Sequence, residues 1–156
     1  MKRLATQLIL VACVYVGVFH TDWSAIGVTL PDWVNVLNPT PAPIPSTGLR
    51  VFIFEETADR DKLQPGQREA LLSAAAGSVR DYAQTHCVKI NGQPEFRLID
   101  KDQDLSKDSE AVQIAGKLPR TSLPWLVVSN GKSGYSGPLP ATAAESLAIL
   151  KKYGGE

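Results

Sequence analysis

Cysteine is nearly absent from this 156-residue sequence, which holds only Cys13 and Cys87. Cys13 lies inside an N-terminal apolar run. If that run is in a membrane, the two thiols cannot meet within one chain. A disulfide framework is therefore excluded, as is a cysteine-based zinc site, which needs several ligands close together. An excess of positive charge is missing too. Sixteen Lys and Arg balance sixteen Asp and Glu, whereas a nucleic-acid binder carries a basic face, so no nucleic-acid partner is expected. No glycine-rich loop that could cradle phosphate is present, and no cofactor is expected. Charge of either sign is lacking from Leu4 to Phe19, and no Lys or Arg occurs between Arg3 and Arg50.

The uncharged stretch reads LATQLILVACVYVGVF. As a helix its sixteen residues cover roughly 24 Å, against a hydrocarbon core of about 30 Å. Flanking residues or local bilayer thinning make up the difference. Lys2 and Arg3 hold the N-terminus in the cytoplasm, while His20, Thr21 and Asp22 open the other side, with Trp23 and Trp33 as interfacial aromatics. Residues 1–20 are thus read as an N-terminal membrane anchor, a single transmembrane helix through residues 4–19. Two other readings stay open. Leu10-Val11-Ala12-Cys13 resembles a lipobox, which would make the protein a lipoprotein acylated at Cys13. A cleaved secretory signal is the third reading, opposed by the lack of a small-x-small site. A buried helix of a globular domain would need a polar face, and this segment has none. All three membrane-directed readings put the rest of the chain in the periplasm or its equivalent.

Residues 21–48 form an interfacial segment and a linker. Asn38 to Ser46 reads NPTPAPIPS, whose alternating prolines predict a stiff polyproline II spacer at about 3.1 Å per residue. It could also be a ligand for a proline-binding domain, but such domains are mostly cytoplasmic. Residues 49–156 carry the pattern of a folded domain. Val51 to Phe54 is a continuous apolar run, as a buried strand requires. Glu55 to Gln64 is polar and reads as loop. Pro65 suits a first helical turn, and Leu72, Ala75, Ala76, Val79, Tyr82 and Ala83 keep helical spacing to about His86. Asn91-Gly92 marks a turn. Phe96 to Ile99 is a second strand, and Asp108-Ser109 caps a short helix. Pro124 to Val128 is a third strand, Asn130-Gly131 a hairpin signal, and Gly134 to Ser136 a weaker fourth strand. Thr142 and Glu145 form a capping box for a last helix that Gly154 ends. Strands alternating with helices imply a partly parallel sheet, and the late hairpin makes it mixed.

This order, together with Ser122-Leu123-Pro124-Trp125-Leu126-Val127-Val128-Ser129-Asn130-Gly131-Lys132, resembles the thioredoxin-like family. The resemblance implies a three-layer α/β/α fold on a mixed four-stranded sheet and a cis Leu123–Pro124 bond. It also implies a peptide-binding surface, here made of Thr57, Ala58, Asp59 and Arg60 with Ser122, Leu123 and Pro124. The family's Cys-x-x-Cys would stand between the first strand and first long helix, where this chain has Glu55 to Lys62 and no cysteine. Dithiol exchange by the domain is therefore excluded.

Other motifs are weak. Cys87 beside His86 could be a nucleophile, but a lone cysteine is more often a small buried hydrophobe. Asp100, Asp102 and Asp104 open like a calcium loop, yet Leu105 and Ala111 stand where glycine and glutamate are required, so no metal site is expected. Gly134-Tyr135-Ser136-Gly137-Pro138 fails as a nucleophile elbow, since proline replaces the last glycine. The expectation is a membrane-tethered, redox-inactive module that binds a protein partner or supports an envelope assembly. A single-thiol reductase or peroxidase using Cys87 is the alternative.

Overall fold

A computed structural model describes residues 41–155. The expected anchor through residues 4–19, the Cys13 lipobox and the interfacial tryptophans lie outside the described residues. Among the described residues no helix is long and apolar enough to cross a membrane.

The domain is mixed α/β. Strand β1 (Arg50–Glu55) leads into a 3-10 turn (Thr57–Lys62) and helices α1 (Pro65–Leu72) and α2 (Val79–His86). A small hairpin of β2 (Lys89–Ile90) and β3 (Gln93–Pro94) follows, then β4 (Phe96–Asp100) and α3 (Glu110–Lys117). Strands β5 (Trp125–Ser129) and β6 (Gly134–Pro138) and helix α4 (Ala143–Gly154) complete it. The main sheet has the order β4-β1-β5-β6. β1 runs parallel to β4 and antiparallel to β5, and β5 is antiparallel to β6.

Strand β1 is central, and Val51 to Phe54 are fully buried. Alternate residues of a strand face opposite sides, so β1 feeds two cores. Val51 and Ile53 pack with Leu71, Val79, Tyr82, Leu150 and Tyr153 from α1, α2 and α4. Phe52 and Phe54 pack on the other face with Val112 and Ala115 of α3. β5 divides in the same way, Leu126 and Val128 to the first core, Trp125 and Val127 to the second. The Leu123–Pro124 bond entering β5 is cis.

Three expectations need correction. The single long helix from Pro65 to His86 is two helices, and Ala75 and Ala76 are exposed loop residues between them. Gly77 takes φ +77°, Ser78 caps α2 by accepting from the Asp81 N–H, and Asp81 accepts in return from the Gly77 N–H. A left-handed glycine followed by Ser-x-x-Asp is a stop and restart signal that the apolar spacing concealed. The polar stretch after β1 is not plain loop, since Thr57–Lys62 forms the 3-10 turn. The third correction concerns the proline-rich segment. From Pro41 onward it is no free spacer. Pro41 bridges Ser133 at the head of β6, and Ile44 is buried in the second core. The Ser129 hydroxyl donates to the Ile44 carbonyl at 2.7 Å. Gly131, at φ +84°, lies so close that a Cβ there would overlap the Ser46 carbonyl oxygen. One apolar side chain between prolines gives no periodicity, so the sequence does not announce this anchoring.

The turns behave as expected. Asn91 and Gly92 both take positive φ in the β2–β3 hairpin. Asn130 Oδ1 accepts from the Lys132 and Ser133 N–H groups in the β5–β6 turn. The Thr142–Glu145 capping box is present, and α4 ends one residue later than expected, with Gly155 at φ +74°.

Burial of Ile44 yields a direct test. Ile44→Ala removes a buried aliphatic side chain and should destabilise the full chain by about 3 kcal/mol in urea unfolding. Pro43→Ala, beside it, should cost far less. Equal, negligible effects of both would show that the segment is a spacer after all.

Candidate functional site

Among the described residues the sheet has one parallel pair, β1 and β4, which ends at Glu55 and Asp100. Crevices outside the carboxyl ends of such strands are where α/β sheets bind ligands. Glu55 is only 2% exposed, and a buried carboxylate requires a partner. Arg60 supplies it from the 3-10 turn: its Nε donates to Oε2 at 2.8 Å and its Nη2 donates to Oε1. The same pairing raises the Arg60 guanidinium above its ordinary value. Arg60 is thus committed to holding the turn and has little left for a partner.

Asp100 fixes the turn from the other strand. Its Oδ2 accepts from the Thr57 N–H at 3.0 Å. The carboxyl is held down to about 2, first by the Thr57 side chain and then by the Asp102 and Thr57 N–H groups. Asp104 accepts from the N–H and hydroxyl of Ser106. These aspartates thus spend their oxygens on loop geometry. Among the described residues no group of three His, Cys, Asp or Glu could hold a metal.

Beside the turn lies an open cleft of about 520 Å³. It is lined by Glu56 and Asp59 on the turn side and by Thr121, Ser122 and Leu123 of the loop ahead of β5. Lys101 and Arg120 border it as well. Lys101 Nζ pairs with Asp102 and, at 3.0 Å, with Glu56, and the two carboxylates, Asp102 foremost, push its pKa upward. Asp59 pairs with Lys62 at 2.6 Å in an exposed contact. A second depression of about 420 Å³ adjoins along the α3 side, and Lys101 and Arg120 border it also.

Of the seven residues expected at the peptide-binding surface, Asp59, Ser122 and Leu123 line this cleft. Leu123 is 37% exposed, one of the few large apolar side chains left in solvent. Thr57 and Ala58 are exposed but not in the cleft wall, Arg60 is turned to Glu55, and Pro124 is buried. Glu56, Lys101, Arg120 and Thr121 are not among the expected residues. They come from three separate segments, and only the β1–β4 register and the loop before β5 bring them together.

Cys87 lies elsewhere. It bridges Leu49 just before β1 and is 5% exposed within the first core. Leu49 precedes Glu56 by seven residues, roughly 23 Å of extended strand. Burial, and secondarily the charge of Glu95, push the thiol up to about 12. A nucleophilic or redox-active cysteine needs the thiolate, and these surroundings disfavour it. Glu95 is itself buried, its Oε2 lacking a hydrogen bond but lying 3.7 Å from Arg50 Nη1.

No protein-family model matches this chain significantly, and neither does any curated protein or solved structure.

Two outcomes follow from the geometry. Arg60→Ala leaves Glu55 buried and uncompensated, so it should destabilise the chain by about 1–3 kcal/mol in chemical denaturation. The figure is below that of a fully buried pair because Arg60 is 37% exposed. Glu55→Gln with Arg60 retained should cost less. For Asp100, the folded value lies below the ordinary 3.8. Its contact therefore adds stability above about pH 4 and forfeits it as pH falls through about 2. The Thr57 amide resonance of the full chain should shift with a midpoint near 2, and a midpoint near 4 would show the contact is absent.

Proposed function

We propose that this protein is a membrane-tethered, redox-inactive module of the thioredoxin-like kind, held on the extracytoplasmic side, whose cleft binds an extended segment of a protein partner. The observation that carries this reading is the open cleft between the turn after β1 and the Thr121–Leu123 loop, with no thiol in its walls. The fold assignment draws on the sheet order β4-β1-β5-β6 with one parallel pair, and on helices covering both faces. A partner rather than a small substrate is favoured by the cleft's openness and by the exposed Leu123. The polar hydroxyls of Thr121 and Ser122 beside it suit a backbone or side-chain contact. Tethering and orientation rest on the uncharged run from Leu4 to Phe19 behind Lys2 and Arg3.

Photocrosslinking in living cells tests the binding face. The full chain carrying p-benzoylphenylalanine at position 123 should give a discrete protein adduct. The same residue at position 90, on the exposed β2–β3 hairpin, should not. Equal adducts from both positions would sink the assignment of this face. The full chain should also leave the rate of insulin reduction by dithiothreitol unchanged. An acceleration abolished by Cys87→Ala would replace the binding module with a single-thiol enzyme.

A further inference from the structure

Arg120, like the part-buried Arg80 over the Phe96 ring, has no ion pair among the described residues, whereas three other arginines do. Arg50, Arg60 and Arg97 each face a carboxylate, Glu95, Glu55 and Asp108 respectively. Arg120 faces none among the described residues. Its Nη1 and Nη2 donate to the Ala115 and Gly116 carbonyls at the end of α3, at 3.2 and 3.0 Å. One face of its guanidinium lies 4.2 Å from the centroid of the Phe54 ring. A guanidinium has five N–H donors in a fixed fork, so Nε and the second hydrogens of both Nη atoms remain for another acceptor. The group borders both depressions. It is partly desolvated, and burial alone lowers its pKa, with no acidic neighbour acting on it.

The carbonyl contacts account for part of this arrangement, since a cation at a helix C-terminus is stabilising. They leave its charge without a carboxylate partner where Arg120 borders the two depressions. The neighbouring cation Lys101 is satisfied by Glu56 and Asp102. An incoming anion therefore meets its best unspent donor at Arg120. Leu123, which lines the first depression together with Arg120, offers an apolar surface there.

We propose that Arg120 is the specificity-determining residue of the cleft, selecting an extended peptide segment in which an Asp or Glu stands beside an apolar residue. The carboxylate pairs with the free edge of the guanidinium, anchored from behind by Phe54 and the α3 carbonyls, and the apolar side chain covers Leu123. This rests on the reading of the cleft as a peptide-binding face and adds the chemistry it recognises.

The test uses the full chain and two acetylated, amidated tetrapeptides, Ala-Asp-Leu-Ala and Ala-Asn-Leu-Ala, followed by NMR at the Arg120 Nε–H and the Leu123 methyls. The acidic peptide should shift both signals and bind about tenfold more tightly than its amide counterpart, the size expected of a charge-assisted hydrogen bond. Arg120→Gln should erase that difference, and Arg120→Lys should restore part of it. Should Arg120→Gln unfold through loss of the α3 contacts, salt gives an independent reading on the wild type. Raising ionic strength from about 0.01 M to about 1 M shrinks the screening length from about 30 to about 3 Å and should collapse the preference. Equal binding of both peptides with Leu123 responding would overturn the role of Arg120 and leave the cleft reading standing. Silence of both signals with either peptide would overturn both.

Discussion

Burial of β1 on both faces is the constraint from which the rest follows. Four consecutive apolar side chains cannot be hidden by one layer. Val51 and Ile53 require the α1, α2 and α4 side, Phe52 and Phe54 the α3 side, so the sheet must be covered twice. A strand buried this way also needs hydrogen-bonded neighbours along both edges, which β4 and β5 provide. The strand then runs into Glu55, still buried and now charged. That carboxylate draws Arg60 back over the strand end, and the turn carrying Arg60 becomes one wall of the cleft. Asp100, at the end of the parallel neighbour, fixes the start of the same turn. The geometry of the candidate site is thus a consequence of how the central strand ends, more than of any residue at the cleft itself.

How much of this can be read from the chain depends on the range of the interaction. Strands β1 and β5 declare themselves as continuous apolar runs and β4 as an apolar stretch interrupted by Arg97, and Asn130-Gly131 and Thr142–Glu145 are short-range signals that carry their own geometry. The break between α1 and α2 is also local, but apolar spacing through Ala75 and Ala76 outweighed the Gly77-Ser78 signal, because alanine is equally at ease in helix and exposed loop. Ile44 could not be read at all. Its burial depends on a Ser129 hydroxyl and on the bareness of Gly131, both more than eighty residues away in the chain. In the cleft, Asp59, Ser122 and Leu123 were legible only through a family resemblance. Lys101 and Arg120 were not, since a lone basic residue in a polar loop says nothing about which carboxylate it will meet or fail to meet.

The two ends of β1 carry opposite chemistry. At its start, Cys87 and Glu95 are enclosed, and the thiol is held protonated. At its end, charged groups are gathered in the open with no thiol among them. Reactivity and accessibility have been separated onto different ends of one strand. A surface of this kind can discriminate by charge and shape, and no thiol lines it.

The packed proline segment has a mechanical meaning. Tension applied to the chain ahead of Pro41 does not reach the sheet through a slack hinge. It arrives at the Pro41–Ser133 bridge, then at the Ile44 side chain and its carbonyl bond to Ser129. Ser129 is the last residue of β5, and β5 pairs directly with β1. The load path therefore runs from the chain ahead of Pro41 straight into the two central strands.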